Sequence, residues 1–268
     1  MIVFPNAKIN LGLNILNKRE DGYHNIASCF YPISWSDVLE INLADDFKIE
    51  LSGITIPGTK EDNLIVKAYE LLKNDFDIPP VHIHLHKVVP IGAGLGGGSA
   101  DCAFAIKSFN ELFSLGLESK AMEDYAGKLG SDCPFFIKNK PVHVSGTGNI
   151  FEPTRLSLKE KYIVLVYPNL HISTAEAYRG MVPKIPTVQN KEVLSQNITA
   201  WQDQLINDFE HSLFPNYPIL SNIKSKIIDS GALYASMTGS GSTIYGIFEK
   251  KPIIDFPEQY TIYQAILL

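Results

Sequence analysis

The segment Pro90-Ile-Gly-Ala-Gly-Leu-Gly-Gly-Gly-Ser-Ala-Asp101 places five glycines in the seven positions from Gly92 to Gly98. Glycine loses more backbone freedom on ordering than any other residue, so such a run is costly inside a helix or strand. It belongs where the chain needs unusual conformations or where a ligand approaches the backbone closely. The flanks are regular. Val81 to Val88 alternates as a strand does, and from Ser99 onward Ala103, Ile106, Asn110 and Phe113 recur at helical spacing. A glycine loop that runs straight into a helix offers free N–H groups and a positive dipole end to an anion, and a polyphosphate is the usual occupant. Two phosphate-binding templates fit in part. Gly92, Gly94 and Gly97 satisfy GxGxxG, but no strand ending in an acidic residue follows about twenty positions later, as ribose recognition requires. In the P-loop register Gly98 stands where the lysine should be, with Ser99 after it, so a phosphate-binding lysine must come from elsewhere.

The rest of the chain mixes strands and helices. Ile9, Leu11, Leu13 and Ile15 alternate with Lys8, Asn10, Gly12 and Asn14, which predicts a half-buried strand with Lys8 and Asn10 on its polar face. Asn17 to Gly22 reads as a turn into a second strand around Ala27 to Ile33, and β-rich segments follow at Val38 to Leu43 and Lys48 to Leu51. A helix begins at about Asn63 with Leu64, Ile65, Ala68, Leu71 and Leu72 on one face and Asp62 placed to cap it. Another spans Ser119 to Lys128. Beyond Tyr162 come a strand to Tyr167, helices around Ala175 to Tyr178 and Ile219 to Ser230, and paired strands at Tyr234 to Met237 and Thr243 to Phe248. This order predicts an α+β fold in two lobes, residues 1–155 and 156–268, with a proline-broken linker at Gly180 to Asn190.

Composition excludes several functions. The 268 residues carry 23 Lys and Arg against 29 Asp and Glu, a net charge of −6, so no broad basic surface for nucleic acid or an anionic membrane is expected. Asn6, Lys8 and Asn10 interrupt the apolar start before a signal-peptide core can form, and no stretch is long and apolar enough to span a bilayer. The three cysteines, Cys29, Cys102 and Cys133, are odd in number and far apart, which points to a reducing, cytoplasmic setting. Cys102 and Cys133 read as packing thiols. His82, His84 and His86 share one strand face and could in principle grip a metal, although a polar sheet face explains the same alternation.

With Ala7-Lys-Ile-Asn-Leu11 near the start and Met237-Thr-Gly-Ser-Gly-Ser242 near the end, the glycine segment resembles the three motifs of the galactokinase, homoserine kinase, mevalonate kinase and phosphomevalonate kinase (GHMP) superfamily. Asp21-Gly-Tyr-His24, Glu61-Asp-Asn-Leu-Ile65, Gly130-Ser-Asp-Cys-Pro-Phe-Phe136 and Asn207-Asp-Phe-Glu210 are similar, more narrowly, to one branch of it. That branch phosphorylates the tertiary C2 hydroxyl of a methylerythritol carrying cytidine diphosphate, in the non-mevalonate route to isoprenoids. The resemblance implies an N-terminal lobe like the ribosomal protein S5 domain 2 fold, a ferredoxin-like C-terminal lobe, and an active site in the cleft between them. It further implies ATP as co-substrate, Mg2+, a cytidine-diphosphate-bearing small molecule as acceptor, and a monomer or weak homodimer.

Phosphoryl transfer to a hydroxyl needs positioning, charge neutralisation and a proton acceptor. Asp132 matches the family's general base; its flanks describe a tight turn leading into an apolar wall, where a bare aspartate would more often be a cap. Lys8 matches the catalytic lysine that holds the base ionised and attracts the phosphoryl oxygens. Asn10 would then hydrogen-bond the substrate. Asp101 is the rival base, though its place in the first helical turn favours a cap. The resemblance puts the ATP phosphates at Pro90, Gly92, Gly94, Gly96, Gly97, Gly98 and Ser99, with Asn63 and Leu64 by the adenine. Lys87 would add a second cation, and the Ser99 hydroxyl a magnesium ligand. Gly239 and Gly241 would let their loop approach the substrate or the phosphate loop. Tyr23 and His24 suit a pyrimidine, with Tyr178 closing the other side of the base where the family often has Phe, and Thr174 lining the diphosphate or erythritol end. Homoserine and mevalonate kinases do not require the Tyr23, His24 and Tyr178 set. A non-catalytic nucleotide or sugar sensor would have lost the base or the lysine, and both are present.

Overall fold

The computed structural model describes residues 1–267. Among them the strands are β1 (Ile2–Val3), β2 (Asn6–Lys18), β3 (His24–Ser36), β4 (Val38–Leu43), β5 (Lys48–Gly53), β6 (Val81–Lys87), β7 (Val142–Ser145), β8 (Ile150–Pro153), β9 (Tyr162–Tyr167), β10 (Tyr234–Met237), β11 (Ile244–Phe248) and β12 (Thr261–Ile266). The α-helices are α1 (Leu64–Lys73), α2 (Gly97–Leu112), α3 (Ser119–Gly127), α4 (Phe135–Lys138), α5 (Thr174–Arg179), α6 (Asn190–Leu194), α7 (Phe209–Leu213) and α8 (Pro218–Asp229). None of these helices is long and apolar enough to cross a membrane. The chain forms two compact units. One comprises Met1–Ala7, Trp35–Ile91 and Gly96–Lys140; the other comprises Lys8–Ser34, Gly92–Leu95 and Pro141–Leu268. Most of β2 and β3, and half of the glycine loop, thus group with the C-terminal elements.

In the first unit a sheet of order β1-β4-β6-β5 buries Leu39, Ile41, Ile83 and Leu85. β4 and β6 are antiparallel, but β5 and β6 are parallel, so α1 serves as the crossover of one βαβ unit inside an otherwise α+β chain. Helix α1 buries Ile65, Val66, Ala68, Tyr69 and Leu72, the apolar face read from the sequence without Leu64 and Leu71 and with Val66 and Tyr69 in addition. Its cap is Asn63, whose Oδ1 accepts from the N–H of Ile65 at 2.9 Å, and not Asp62. Asp62 instead ends a short 3₁₀ turn and accepts from the Thr59 hydroxyl at 3.1 Å. The histidine face of β6 is a polar sheet face: Ser52 Oγ lies 2.8 Å from His84 Nε2 and 3.0 Å from His86 Nδ1. Among the described residues no group of three or more His, Cys, Asp or Glu could hold a metal ion.

In the second unit the antiparallel sheet β10-β11-β9-β12 has the strand order of a ferredoxin-like fold. The segment before β12 carries no helix, and β12 itself lies in a tail with no pattern that marks it in the sequence. The core joins Val164, Val166, Ala235, Met237, Ile244 and Phe248 of this sheet to Ala177 of α5, Phe209 and Leu213 of α7, and Leu220, Ile223 and Ile227 of α8. A second sheet, β2-β3-β7-β8, supplies Leu13 and Ile15 to the same core.

Two readings need correction. β2 is not half-buried: every residue from Ala7 to Ile15 is buried. Its polar face is covered, with a Cβ on Gly12 set to fall 2.7 Å from Leu205 and 3.0 Å from the Asn190 amide. The stretch from Gly180 to Asn190 is not an interdomain linker either. Both its ends belong to one unit, and the Lys184 N–H donates to the Ile15 carbonyl at 2.9 Å, making it a surface loop with exposed Val182 and Ile185.

Candidate active site

In the second unit the part of β2 that carries Lys8 is fixed by side chains. Lys8 is buried; its backbone N–H donates to Leu95 O at 3.0 Å, its Nζ to Asn10 Oδ1 at 2.6 Å, and the ammonium stands 4.4 Å from the Phe30 ring centroid. A buried ammonium is tolerated only with such acceptors around it. Asn10, expected to bond substrate directly, spends its carbonyl oxygen inside the protein, accepting also from the Gly239 N–H at 3.0 Å. Its Nδ2 donates to Ser28 Oγ at 3.0 Å, and Ser28 donates on to Gly12 O at 2.6 Å. The Asn10 backbone N–H goes to Thr238 Oγ1 at 3.0 Å, and its carbonyl accepts from the Tyr245 hydroxyl at 2.7 Å.

The Thr238-Gly239 turn packs directly on the glycine loop. A Cβ on Gly94 would lie 2.0 Å from Thr238 O, and one on Gly239 would lie 2.8 Å from Gly94 Cα, so both positions require glycine for close backbone approach. The Asn207 to Glu210 block holds this turn. Asn207 Nδ2 donates to Met237 O at 2.8 Å and Gly239 O at 2.9 Å, and Glu210 Oε1 accepts from the Met237 N–H at 2.8 Å. Thr238 and the Asn207 to Glu210 block both lie in family-like motifs of the sequence, but their place in those motifs carries no role by itself.

Residues that the resemblance assigns to the acceptor also meet in this unit. The His24 and Tyr178 rings stack with centroids 4.8 Å apart and planes 24° apart, leaving no space for a third ring between them. Tyr178 meets Phe209 edge-on at 4.9 Å. Burial, then Lys18, holds His24 below the ordinary histidine pKa, so at neutral pH the ring carries one donor and one acceptor. Tyr23 is exposed, Gly92 lies against the His171 ring, and Thr174 opens α5 with its hydroxyl 3.4 Å from Ser240 Oγ.

In the first unit the strand leading to the loop is locked by three buried charges. Asp37 accepts from the N–H groups of Val88 at 2.6 Å and Val89 at 2.8 Å, just before Pro90. Lys87 Nζ donates to Asp37 at 2.5 Å and to Asp101 at 2.7 Å. Lys87 therefore spends its charge on two carboxylates beneath the loop, beside Gly97. Burial alone would lower its pKa, but Asp101 and Asp37 raise it. Asp101 does not cap α2. It sits a turn further in and is buried; desolvation lifts it to about 7 against the pull of Lys87. Removing one partner of such a set leaves an uncompensated buried charge at a cost of about 3–5 kcal/mol, so the three act together.

Helix α2 starts at Gly97, two residues before the expected Ser99, because Gly96 takes φ +71° and turns the chain into the helix. No side chain caps this end, Gly98 is exposed and Ser99 half-buried, which fits an anionic phosphate. Asp132 is half-buried in the Gly130–Cys133 turn, closed by the Cys133 N–H on Gly130 O at 3.2 Å, and the buried Phe135, Phe136 and Ile137 of α4 follow it. The Cys133 thiol bonds to Cys102 and Ser99, tying the Asp132 turn to the start of α2; the Cys102 bond, the larger influence, holds Cys133 below the ordinary thiol range and pushes Cys102 up. Asn63 and Leu64 are half-buried at the start of α1, the amide engaged as the cap.

Comparison with known proteins accords with this geometry. Residues 63–140 match the model of the GHMP kinases N terminal domain, and residues 189–258 that of the GHMP kinases C terminal domain. A 4-diphosphocytidyl-2-C-methyl-D-erythritol kinase from Bacteroides fragilis is 50% identical over 263 residues, covering 96% of each chain. One from Cytophaga hutchinsonii is 50% identical over 253 residues, covering 94% of each. A crystal structure of 4-(cytidine 5'-diphospho)-2C-methyl-D-erythritol kinase superposes with a TM-score of 0.80 at 28% identity, covering 92% of this chain and 90% of that one.

Proposed function

Because the chain belongs to the 4-diphosphocytidyl-2-C-methyl-D-erythritol kinase family of the GHMP kinases, we propose that it phosphorylates the C2 hydroxyl of that cytidyl polyol with ATP, releasing ADP, as a step of the non-mevalonate route. The observation that carries this reading is the Lys8 ammonium. It is buried, bound by backbone to the glycine loop at Leu95, and aligned through Asn10 with the Thr238-Gly239 turn. A cation held so firmly beside an anion-binding loop suits the stabilisation of charge on a transferring phosphoryl group.

In this mechanism the C2 oxygen attacks the γ-phosphorus while Asp132 accepts the hydroxyl proton. The new C–O–P linkage forms as the bond between the γ-phosphorus and the β,γ-bridging oxygen breaks. Lys8 attracts the γ-oxygens, and the uncapped start of α2 at Gly97, Gly98 and Ser99 neutralises the phosphates of the leaving ADP. Mg2+ would add charge neutralisation, with the Ser99 hydroxyl as the hard oxygen donor for it. Asn10 orients Lys8, and Lys87 shapes the loop from below. Asn63 and Leu64 contact the adenine, Tyr23, His24 and Tyr178 receive the cytosine, and Thr174 and Gly239 line the remainder of the acceptor. Division by role along the chain gives an ATP-binding part in residues 1–155 and a second part in 156–268, distinct from the packing units. The same reading has the protein working in the cytoplasm as a monomer or weak homodimer, on small molecules and not on nucleic acid or membranes.

The phosphorus spectrum of the product tests the position of transfer. The tertiary C2 carbon bears no hydrogen, so the new phosphomonoester resonance should show no three-bond coupling to a carbinol proton. A resonance split by such protons would place the phosphate on another hydroxyl and overturn the assignment.

A further inference from the structure

We propose that Thr238 is a positioning residue for phosphoryl transfer: its hydroxyl ties the backbone of the catalytic strand at Asn10 to the carbonyl of Gly94 in the phosphate loop, and so keeps Lys8 in register with the phosphate being transferred. The inference rests on the kinase reading above and adds a residue that reading does not use. Thr238 is fully buried, and its oxygen has three partners within reach. It accepts from the Asn10 N–H at 3.0 Å, and it lies 3.1 Å from Gly94 O and 3.3 Å from Asn10 Oδ1. A hydroxyl has one proton, and the nearer acceptor is Gly94 O. Asn10 Oδ1 already receives Lys8 Nζ and the Gly239 N–H.

The tie has a directional consequence. Lys8 donates its own N–H to Leu95 O, so two consecutive loop carbonyls, Gly94 and Leu95, receive donors from this one cluster. In a trans peptide the C=O and N–H point in opposite directions. Holding the Gly94 carbonyl on Thr238 therefore fixes that peptide plane, with the Leu95 N–H directed away from the Thr238 hydroxyl. The same hydroxyl thus sets the strand that carries the cation and the peptide plane of the loop that cradles the anion. Tyr245 provides a natural control, since its hydroxyl donates to Asn10 O at 2.7 Å and so holds the strand without that tie to the loop.

Three variants separate these roles by steady-state kinetics on the full chain with ATP and the cytidyl polyol. Thr238→Val keeps the shape without the hydroxyl and is expected to lower kcat about 10- to 100-fold with both KM values within about threefold of wild type, the pattern of an interaction needed in the transition state. Thr238→Ser keeps the hydroxyl and is expected to stay within about threefold in kcat, as is Tyr245→Phe. A Thr238→Val enzyme with wild-type kcat, a Thr238→Ser enzyme as impaired as the valine variant, or a Tyr245→Phe enzyme matching Thr238→Val would each overturn the proposal. If Thr238→Val fails to fold, Thr238→Ala, which also removes the hydroxyl, takes its place in each of these comparisons with the same expected fall in kcat. A wild-type chain that turns over no acceptor would sink the kinase reading and this one with it; an active wild type beside an unimpaired valine variant sinks only the positioning role.

Discussion

Replacing Asp132 by asparagine is expected to lower kcat by about 10²- to 10⁴-fold, the range that general-base catalysis contributes. The amide keeps the size of the side chain but cannot take the hydroxyl proton at neutral pH. The Gly130–Cys133 turn is closed by backbone atoms and continues into the buried α4, so the fold should survive. KM for ATP should change little, because no step of ATP binding uses the carboxylate. Stopped assays of ADP formation beside a thermal melt check this, and a variant with wild-type kcat would remove Asp132 from the base role.

Lys8→Met should be comparably severe, about 10²- to 10³-fold in kcat, the loss seen when one preorganised charge-stabilising donor is removed. Methionine has a similar length and no charge, so it fills the buried site without leaving an unpaired ion. Asn10 Oδ1 would still accept from the Gly239 N–H. Trading a buried ammonium for an apolar chain can even stabilise a protein, so the expected signature is a large kinetic loss with an unchanged or raised melting temperature. Loss of both activity and cooperative melting would mean instead that Lys8 is a structural residue.

Much of this site was legible in the sequence because motif residues are local. Five glycines announce a loop that leaves regular structure, and the apolar spacing after Ser99 announces the helix whose end it feeds. The family-like blocks then supplied Lys8 and Asp132. Coverage was not legible. Alternation shows that Lys8, Asn10, Gly12 and Asn14 share a face of β2, but the residues that bury that face, Asn190 and Leu205, lie far along the chain. The same blindness hid the partners of Lys87. Asp37 and Asp101 stand 50 and 14 residues from it, and nothing in their local patterns distinguishes a buried charge set from a phosphate ligand or a helix cap. Asn63 outcompeted Asp62 as the cap of α1 through a choice of one residue that backbone geometry makes. β12 had no sequence signal because two of its outward residues, Ile262 and Ile266, are exposed and apolar.

Selection of an acceptor by its cytidine diphosphate is what sets the proposed reaction apart from the other kinases of the superfamily. ADP release by the wild-type protein should be compared on 4-diphosphocytidyl-2-C-methyl-D-erythritol, on 2-C-methyl-D-erythritol 4-phosphate lacking the cytidine, on homoserine and on mevalonate. The kcat/KM on the cytidyl compound should stand about 10⁴-fold above the others, the discrimination available to a site whose hydrogen-bonding groups are left unpaired by the wrong ligand. Equal turnover with and without the cytidyl group, or a preference for homoserine or mevalonate, would contradict it.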